Sequence, residues 1–204
     1  MITIALRWMN GATAAEAKAA ARDLCRRMGW PVHPRGPGTT RSGTAGLAAA
    51  ATCGAYAIGI DVERIDAAAV DAALMDAVLH PRERRDMPRG DAARWFFSLW
   101  TRKEAVLKAA GVGLLVPPNA IAADWMGEEW RLVGVPGGGT IAVRSFAAPE
   151  GFAMALAVAL DTFGPGAMGT AERPPPGVTF IEGGWTGSAG RNLSVSSGGR
   201  GPLE

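Results

Sequence analysis

The stretch Trp95-Phe96-Phe97-Ser98-Leu99-Trp100-Thr101-Arg102-Lys103-Glu104-Ala105-Val106-Leu107-Lys108-Ala109-Ala110 decides the fold. It reads as one helix that stops at Gly111 and starts behind Asp91 as N-cap. Phe96, Trp100, Leu107 and Ala110 recur at three- and four-residue steps and mark a core-facing stripe. Lys103 falls on that stripe. Glu104 and Lys108 stand one turn apart with the acid first, the favourable order for an ion pair. Charges at the rim of so apolar a face lose hydration unless something there uses them. Taken alone, the helix is equally well read as a solvated ion pair beside lysine stems lying along aromatic rings.

Upstream, Ile58-Gly59-Ile60-Asp61-Val62-Glu63 has the period of a strand. Ile58, Ile60 and Val62 point to the core, while Gly59, Asp61 and Glu63 share the other face. The two acids lie about 7 Å apart at their Cα atoms, and Gly59 is expected to leave space beside them. Adjacent carboxylates repel, and a hard divalent cation such as Mg²⁺, which prefers oxygen ligands, relieves that repulsion. By itself the strand is more simply read as carrying two solvent-facing acids. With Glu104 added, three carboxylates can converge and Lys108 brings a positive charge beside them. Such a set polarises phosphate oxygens and takes a proton from a hydroxyl. The reaction class is displacement at phosphorus.

Further out, residues 2–8 alternate as a short strand. Thr13 and Glu16 form a capping box that opens an Ala-rich helix, which Gly29 and Pro31 close. The Pro and Gly residues of 31–46 predict a loop. Leu47 to Ala51 and Ala55 to Glu63 read as a hairpin turned at Thr52-Cys53-Gly54. Arg64 to Leu79 reads as a helix behind Asp66, and Pro81 starts a short basic helix through Met87. Residues 130–135, 140–146 and 151–159 form an antiparallel meander. This order of hairpin, helices, long helix and meander predicts an α+β fold with antiparallel strands packed on helices. Residues 1–46 form a first half with its loop, 47–162 the main domain, and 163–204 a flexible tail with a transient strand at Val178 to Ile181.

Bulk properties narrow the function. The net charge of +2 is too small to argue for nucleic acid, and no aromatic-plus-basic strip supports it. The longest apolar run, Phe152 to Leu160, falls well short of the roughly 20 residues that span a bilayer. The N-terminus lacks the layout of a signal peptide. Cys25 and Cys53 make no disulfide framework, and His33 and His80 make no cluster, so a reducing cytoplasm fits.

Gly59-Ile60-Asp61-Val62-Glu63 and Trp100-Thr101-Arg102-Lys103-Glu104-Ala105-Val106-Leu107-Lys108 resemble the two signature motifs of the 4′-phosphopantetheinyl transferases. The Trp form of the second motif and the chain length resemble the monomeric Sfp-like branch. The resemblance implies two pseudo-symmetric halves with the site between them. It implies transfer of the phosphopantetheine arm of coenzyme A to a serine of an acyl or peptidyl carrier protein, by a cytoplasmic monomer. By motif position, Asp61, Glu63 and Glu104 hold Mg²⁺ on the pyrophosphate, and Glu104 helps deprotonate the carrier serine. Lys108 binds phosphate, with Lys103 close by. Glu83 matches a Glu-containing helix start of the family, although a solvated acid at a helix N-terminus is the plainer reading.

The chain departs from the pattern upstream. The family has a Ser-His pair whose His contacts the 3′-phosphate of coenzyme A. Here Arg41-Ser42-Gly43 keeps the serine as a substrate contact, puts Gly43 in place of the His, and offers Arg41 as a compensating cation. Trp30 stands where the family has a basic residue, and the first half is short. The metal side therefore reads as intact and the adenosine side as reduced. That asymmetry supports a second class of function, a non-catalytic relative that binds a carrier protein or another partner.

Overall fold

Two runs of alternating side chains, each backed by one long helix, organise the chain. The computed structural model describes residues 1–31, 38–123, 127–160 and 178–182. Strand β1 (Ile2–Trp8) leads into helix α1 (Ala14–Arg27). The expected capping box is present: the Thr13 hydroxyl accepts from the Glu16 N–H, and the Glu16 carboxylate accepts from the Thr13 N–H at 2.8 Å. Strands β2 (Thr39–Thr44) and β3 (Leu47–Thr52) follow as a tight hairpin, with Gly46 at φ +94° in its turn. Strand β4 (Ile58–Arg64) comes next, then short helices α2 (Ala72–Val78) and α3 (Pro81–Arg85), and the long helix α4 (Ala92–Ala110). The chain continues through β5 (Arg131–Val135), β6 (Gly139–Phe146), β7 (Phe152–Ala159) and β8 (Val178–Glu182).

The strands make two sheets, β2-β3-β1-β8 and β4-β7-β6-β5. Both follow one plan. A first strand leads to a helix, and the last strand of the following antiparallel set returns beside the first: β3 beside β1, and β7 beside β4. The second half has one extra meander strand. The α+β class expected from the sequence is the class the chain adopts.

Side-chain alternation assigns the layers. Ile2, Ile4, Leu47, Ala49 and Ala51 of the first sheet meet Ile58, Ile60, Val62, Met154 and Leu156 of the second in one shared core. The intervening residues Ala5, Ala48 and Ala50 pack under α1, and Ala155 and Ala157 pack under α4. The helices thus cover the outer faces. The edge strands β2 and β4 run side by side, joined by side-chain bonds in place of a ladder: Thr40 and Thr44 hydroxyls accept from the N–H groups of Ile60 and Arg64.

Several sequence expectations change. Residues 39–44, expected in a loop, form β2, because they pair antiparallel with β3 from Thr39 opposite Thr52 to Thr44 opposite Leu47, while alternate hydroxyls bond across to β4. The expected 47–63 hairpin does not pair, since β3 joins β1 and β2 while β4 joins β7. The single helix expected over 64–79 is broken. Asp66 caps a 3-10 turn at Ala67–Ala69, Val70 turns extended, and Asp71 starts α2 by accepting from the Leu74 N–H at 2.7 Å. Two capping acids five residues apart each capture local N–H groups, so two starts compete with one long helix. Asp91 precedes α4 as expected, but in left-handed geometry, and its carboxylate bonds to Arg94 at 3.1 Å instead of capping the helix. No described helix is long and apolar enough to cross a membrane.

The segment expected as a tail carries β8, which pairs in parallel with β1, Ile2 opposite Val178 and Leu6 opposite Glu182. The rest of that expected tail, from residue 163 on, lies outside the described residues. Ending the chain at Leu160 strips β1 of this neighbour and of the Val178 packing on the shared core. Thermal melts should show the shortened protein losing roughly 3–8 °C, about 1–2 kcal/mol for a chain of this size. An unchanged Tm would show that β8 adds nothing to stability.

Candidate active site

The close approach of β4 to α4 builds the site. A Cβ on Gly59 would overlap the Ala105 carbonyl oxygen and lie 2.7 Å from the Ala109 amide nitrogen. Gly59 therefore leaves no free space, contrary to the sequence expectation. It lets the strand lie directly on the helix backbone, which puts Asp61 and Glu63 beside the row Trp100, Glu104, Lys108. Those three residues, at four-residue steps, are the half-buried face of α4. The rest of α4 from Trp95 to Ala109 is buried almost all round, so the one-sided stripe read from sequence was too narrow. Trp100 stacks on Phe97 at 6.1 Å between ring centroids and meets Phe96 edge-on at 5.7 Å, at the rim of the site rather than inside the core.

Between α1 and α4, over the β2–β4 seam, lies a cleft of about 540 Å³. It gathers Asp61, Glu63, Glu104 and Lys108 with Arg41, Ser42 and Gly43. Lys18 and Arg22 of α1 line the opposite wall. Asp61 is only 3% exposed. Its Oδ1 accepts from the Lys108 ammonium at 2.7 Å and from the Ser42 hydroxyl at 2.8 Å. Its Oδ2 is buried without a hydrogen-bond partner, a state that costs about 1–3 kcal/mol or more for a charged group. Lys108 also donates to the Ile60 carbonyl at 3.1 Å. An ammonium has three donors, so one is left for the cleft.

Burial, with the Asp61 charge adding to it, pushes the Glu63 carboxyl up to about 7. The Thr44 hydroxyl and Lys108 oppose that rise. Glu104 is raised by the same two causes, burial first and the Asp61 charge second, with Lys108 opposing. Three acids are thus crowded into a half-dry site, the electrostatic condition that a cation relieves. Among the described residues, no three acid, His or Cys side chains stand close enough to form a cage by themselves.

Two expected site residues lie elsewhere. Lys103 is wholly buried and does not line the cleft. Its ammonium donates to the Glu83 carboxylate at 2.5 Å and to the Val78 carbonyl at 2.6 Å. Glu83, neither solvated nor in the cleft, also accepts from the N–H groups of His80 and Ala123 at 2.7 and 2.6 Å. This satisfied pair ties α3 and the 121–123 segment to α4. Lys103 is therefore a fastener of α4 rather than a phosphate contact. Arg102 is fastened likewise, donating to Ser145 and to the Ala123 carbonyl, and burial lowers its guanidinium to about 10.

Sequence reading missed Lys18 and Arg22. Their signal is present: Ala14, Lys18, Ala21 and Arg22 fall on one helical face, two cations one turn apart among small residues. Gly43 explains the missing loop His. A Cβ there would lie 2.7 Å from the Ala17 carbonyl carbon and 2.8 Å from the Lys18 nitrogen. The α1 backbone fills the place where a side chain would project.

This geometry can be set beside known proteins. Residues 57–132 match the family model of the 4′-phosphopantetheinyl transferase superfamily. That match takes in Asp61, Glu63 and the whole of α4. The crystal structure of Thermotoga maritima holo-acyl-carrier-protein synthase is similar at 21% identity with a TM-score of 0.35, covering 50% of this chain. The chain spans 62% of the length of that protein. No curated protein matches the chain.

Two outcomes follow from this geometry. Gly43→His forces β2 off α1, so it should destabilise the fold by about 1–3 kcal/mol or more and should not add a useful cation; chemical denaturation measures this, and an undisturbed midpoint would refute the contact. The second outcome concerns Glu63, which binds its proton more tightly folded (about 7) than unfolded (about 4.5). Its contribution is therefore fully present below about 4.5 and is lost as pH rises through about 7, a loss of about 3 kcal/mol at most. In the presence of EDTA, Tm measured from pH 5 to 8 should fall less for Glu63→Gln than for the natural protein. Parallel curves would show that Glu63 is not displaced from its ordinary range.

Proposed function

We propose that the chain moves the 4′-phosphopantetheine group of coenzyme A to a serine of an acyl or peptidyl carrier protein. The observation that carries this reading is the single cleft that holds the acids and lysine of both motifs opposite the cations of α1 and β2. One wall suits a metal-bound pyrophosphate and the other suits a separate phosphate. Because one chain supplies both walls, the reading is of a monomer of the Sfp-like kind, with no second subunit needed to close the site.

The residues fit Mg²⁺ in their donor chemistry. All the donors are oxygens, Asp61 Oδ2 is buried without a partner, and burial together with the Asp61 charge pushes Glu63 up to about 7 and raises Glu104. Mg²⁺ commonly takes one or two carboxylates and keeps water and phosphate oxygens for the rest, so a full protein cage is not required. When bound, it would neutralise charge on the pyrophosphate.

The chain's own groups do the remaining work. Glu104, its carboxyl raised by burial and the Asp61 charge, accepts the proton of the carrier serine. The serine oxygen then bonds to the phosphorus that bears the pantetheine arm. The bond from that phosphorus to the bridging oxygen breaks, and adenosine 3′,5′-bisphosphate leaves. The third Lys108 donor meets a phosphate oxygen on the reacting side. Lys18, Arg22 and Arg41 face the adenosine end, where Gly43 has no side chain to offer. These cations weigh against the reading of an eroded, non-catalytic relative.

Intact-mass spectrometry tests the proposal. With coenzyme A and Mg²⁺, an apo carrier protein should gain one phosphopantetheine group. Glu104→Ala should cut the rate by at least 10²-fold, the usual contribution of a general base. Failure with several carriers under conditions where a known transferase works would leave carrier binding without turnover as the function.

A further inference from the structure

The first half of the chain carries a row of hydroxyls that faces the acids of the second. Thr40, Ser42 and Thr44 alternate on β2, so they point the same way, toward β4. Thr40 accepts from the Ile60 N–H at 3.2 Å. Ser42 donates to Asp61 Oδ1 at 2.8 Å. Thr44 accepts from the Arg64 N–H at 3.3 Å and lines the cleft together with Glu63. Asp61 is thus held by a hydroxyl from a strand of the other half, and the next hydroxyl of the row, Thr44, stands in the same cleft as Glu63.

We propose that Ser42 and Thr44 are positioning residues: they orient the Asp61 and Glu63 carboxylates for a divalent cation, and Ser42 is not a substrate contact. The geometry argues for this role. Ser42 and Lys108 both occupy Oδ1 of Asp61, which fixes the carboxylate plane and leaves Oδ2 as its one unpartnered oxygen. Thr44 is itself buried at 8% exposure, so its hydroxyl serves the protein rather than a ligand in solution. With its hydroxyl accepting from the Arg64 N–H, its one proton is left to donate within the cleft it shares with Glu63. Groups that orient the ligands of a metal typically change its affinity by 10–100-fold when removed. This inference rests on the proposed metal site, and it explains why β2 must dock on β4 for the second half to bind a cation.

Mn²⁺ titration by calorimetry, with electron paramagnetic resonance of free Mn²⁺ as a second readout, tests the inference without substrate or turnover. The full chain should bind one Mn²⁺, and Ser42→Ala and Thr44→Val should each bind it 10–100-fold more weakly. Thr44→Ser, which keeps the hydroxyl, should bind within a few-fold of the natural protein. Melting curves in EDTA should place Ser42→Ala within a few degrees of the parent, separating positioning from loss of fold. Thr44 also holds the Arg64 N–H, so if Thr44→Val unfolds, Ser42→Ala decides. Variants that all bind like the parent would overturn the positioning role while leaving the metal site standing. Equal weakening by Thr44→Ser and Thr44→Val would overturn the role of the Thr44 hydroxyl. A parent that binds no Mn²⁺ at millimolar concentration would overturn the metal site and this inference together.

Discussion

The contact of β4 with the backbone of α4 at Gly59 is the constraint on which the rest depends. A strand normally stands off a helix by the thickness of its side chains. Here the absence of one Cβ lets Ala105 and Ala109 approach the strand itself. Two positions further along β4, Asp61 then comes within 2.7 Å of Lys108, and burial with the Asp61 charge raises both Glu63 and Glu104. Any larger residue at position 59 would part the two motifs, and each would return to a solvated surface. The helix must also be immobile for this to work. The buried Glu83–Lys103 pair supplies that, because inside the protein the carboxylate accepts three bonds and the ammonium donates two. Removing one partner of such a pair costs about 3–5 kcal/mol.

The same device occurs in the first half. Gly43 lies against the backbone of α1 at Ala17 and Lys18 as Gly59 lies against α4. In both halves a glycine in a strand brings a helix down onto it, and a lysine on that helix reaches the cleft: Lys18 in one case, Lys108 in the other. The loss of a side chain at position 43 and the gain of cations from α1 are therefore one structural event. A residue there with a side chain would hold α1 away, and Lys18 and Arg22 would move off the wall.

Much of this was legible in the sequence where local rules govern. The Thr13–Glu16 box, the stop at Gly111, the meander from Arg131 to Ala159 and the shared face of Asp61 and Glu63 all follow from nearest-neighbour chemistry and side-chain period. What was not legible depended on distant partners. Thr39 to Thr44 is polar and follows prolines and glycines, so it reads as a loop until β3 supplies its ladder and β4 the groups its hydroxyls bond. Gly59 read as a gap and Gly43 as a missing histidine, because sequence cannot show that a helix backbone occupies each place. Lys103 read as a site residue through the motif resemblance, although its place on the core-facing stripe already pointed to burial. One residue on a helix is a turn of about 100°, enough to separate a buried fastener from a cleft acid.

That angular separation shows how one short motif serves two purposes. Along α4, Trp100, Glu104 and Lys108 keep to one line, while Phe96, Lys103 and Leu107 keep to the buried side. Lys103 and Glu104 are adjacent in the chain and opposite in charge, yet they do not neutralise each other, because Lys103 is pointed at Glu83. Glu104 is left half-buried and facing the Asp61 charge instead, and burial first and that charge second raise its carboxyl rather than lower it. Had Lys103 faced the cleft, its charge would have favoured ionisation of Glu104 and pulled its affinity for a proton down. The buried pair therefore does more than hold the helix. By withdrawing one cation from the cleft, it keeps the acids there short of positive charge, the condition under which burial and the Asp61 charge raise Glu63 and Glu104.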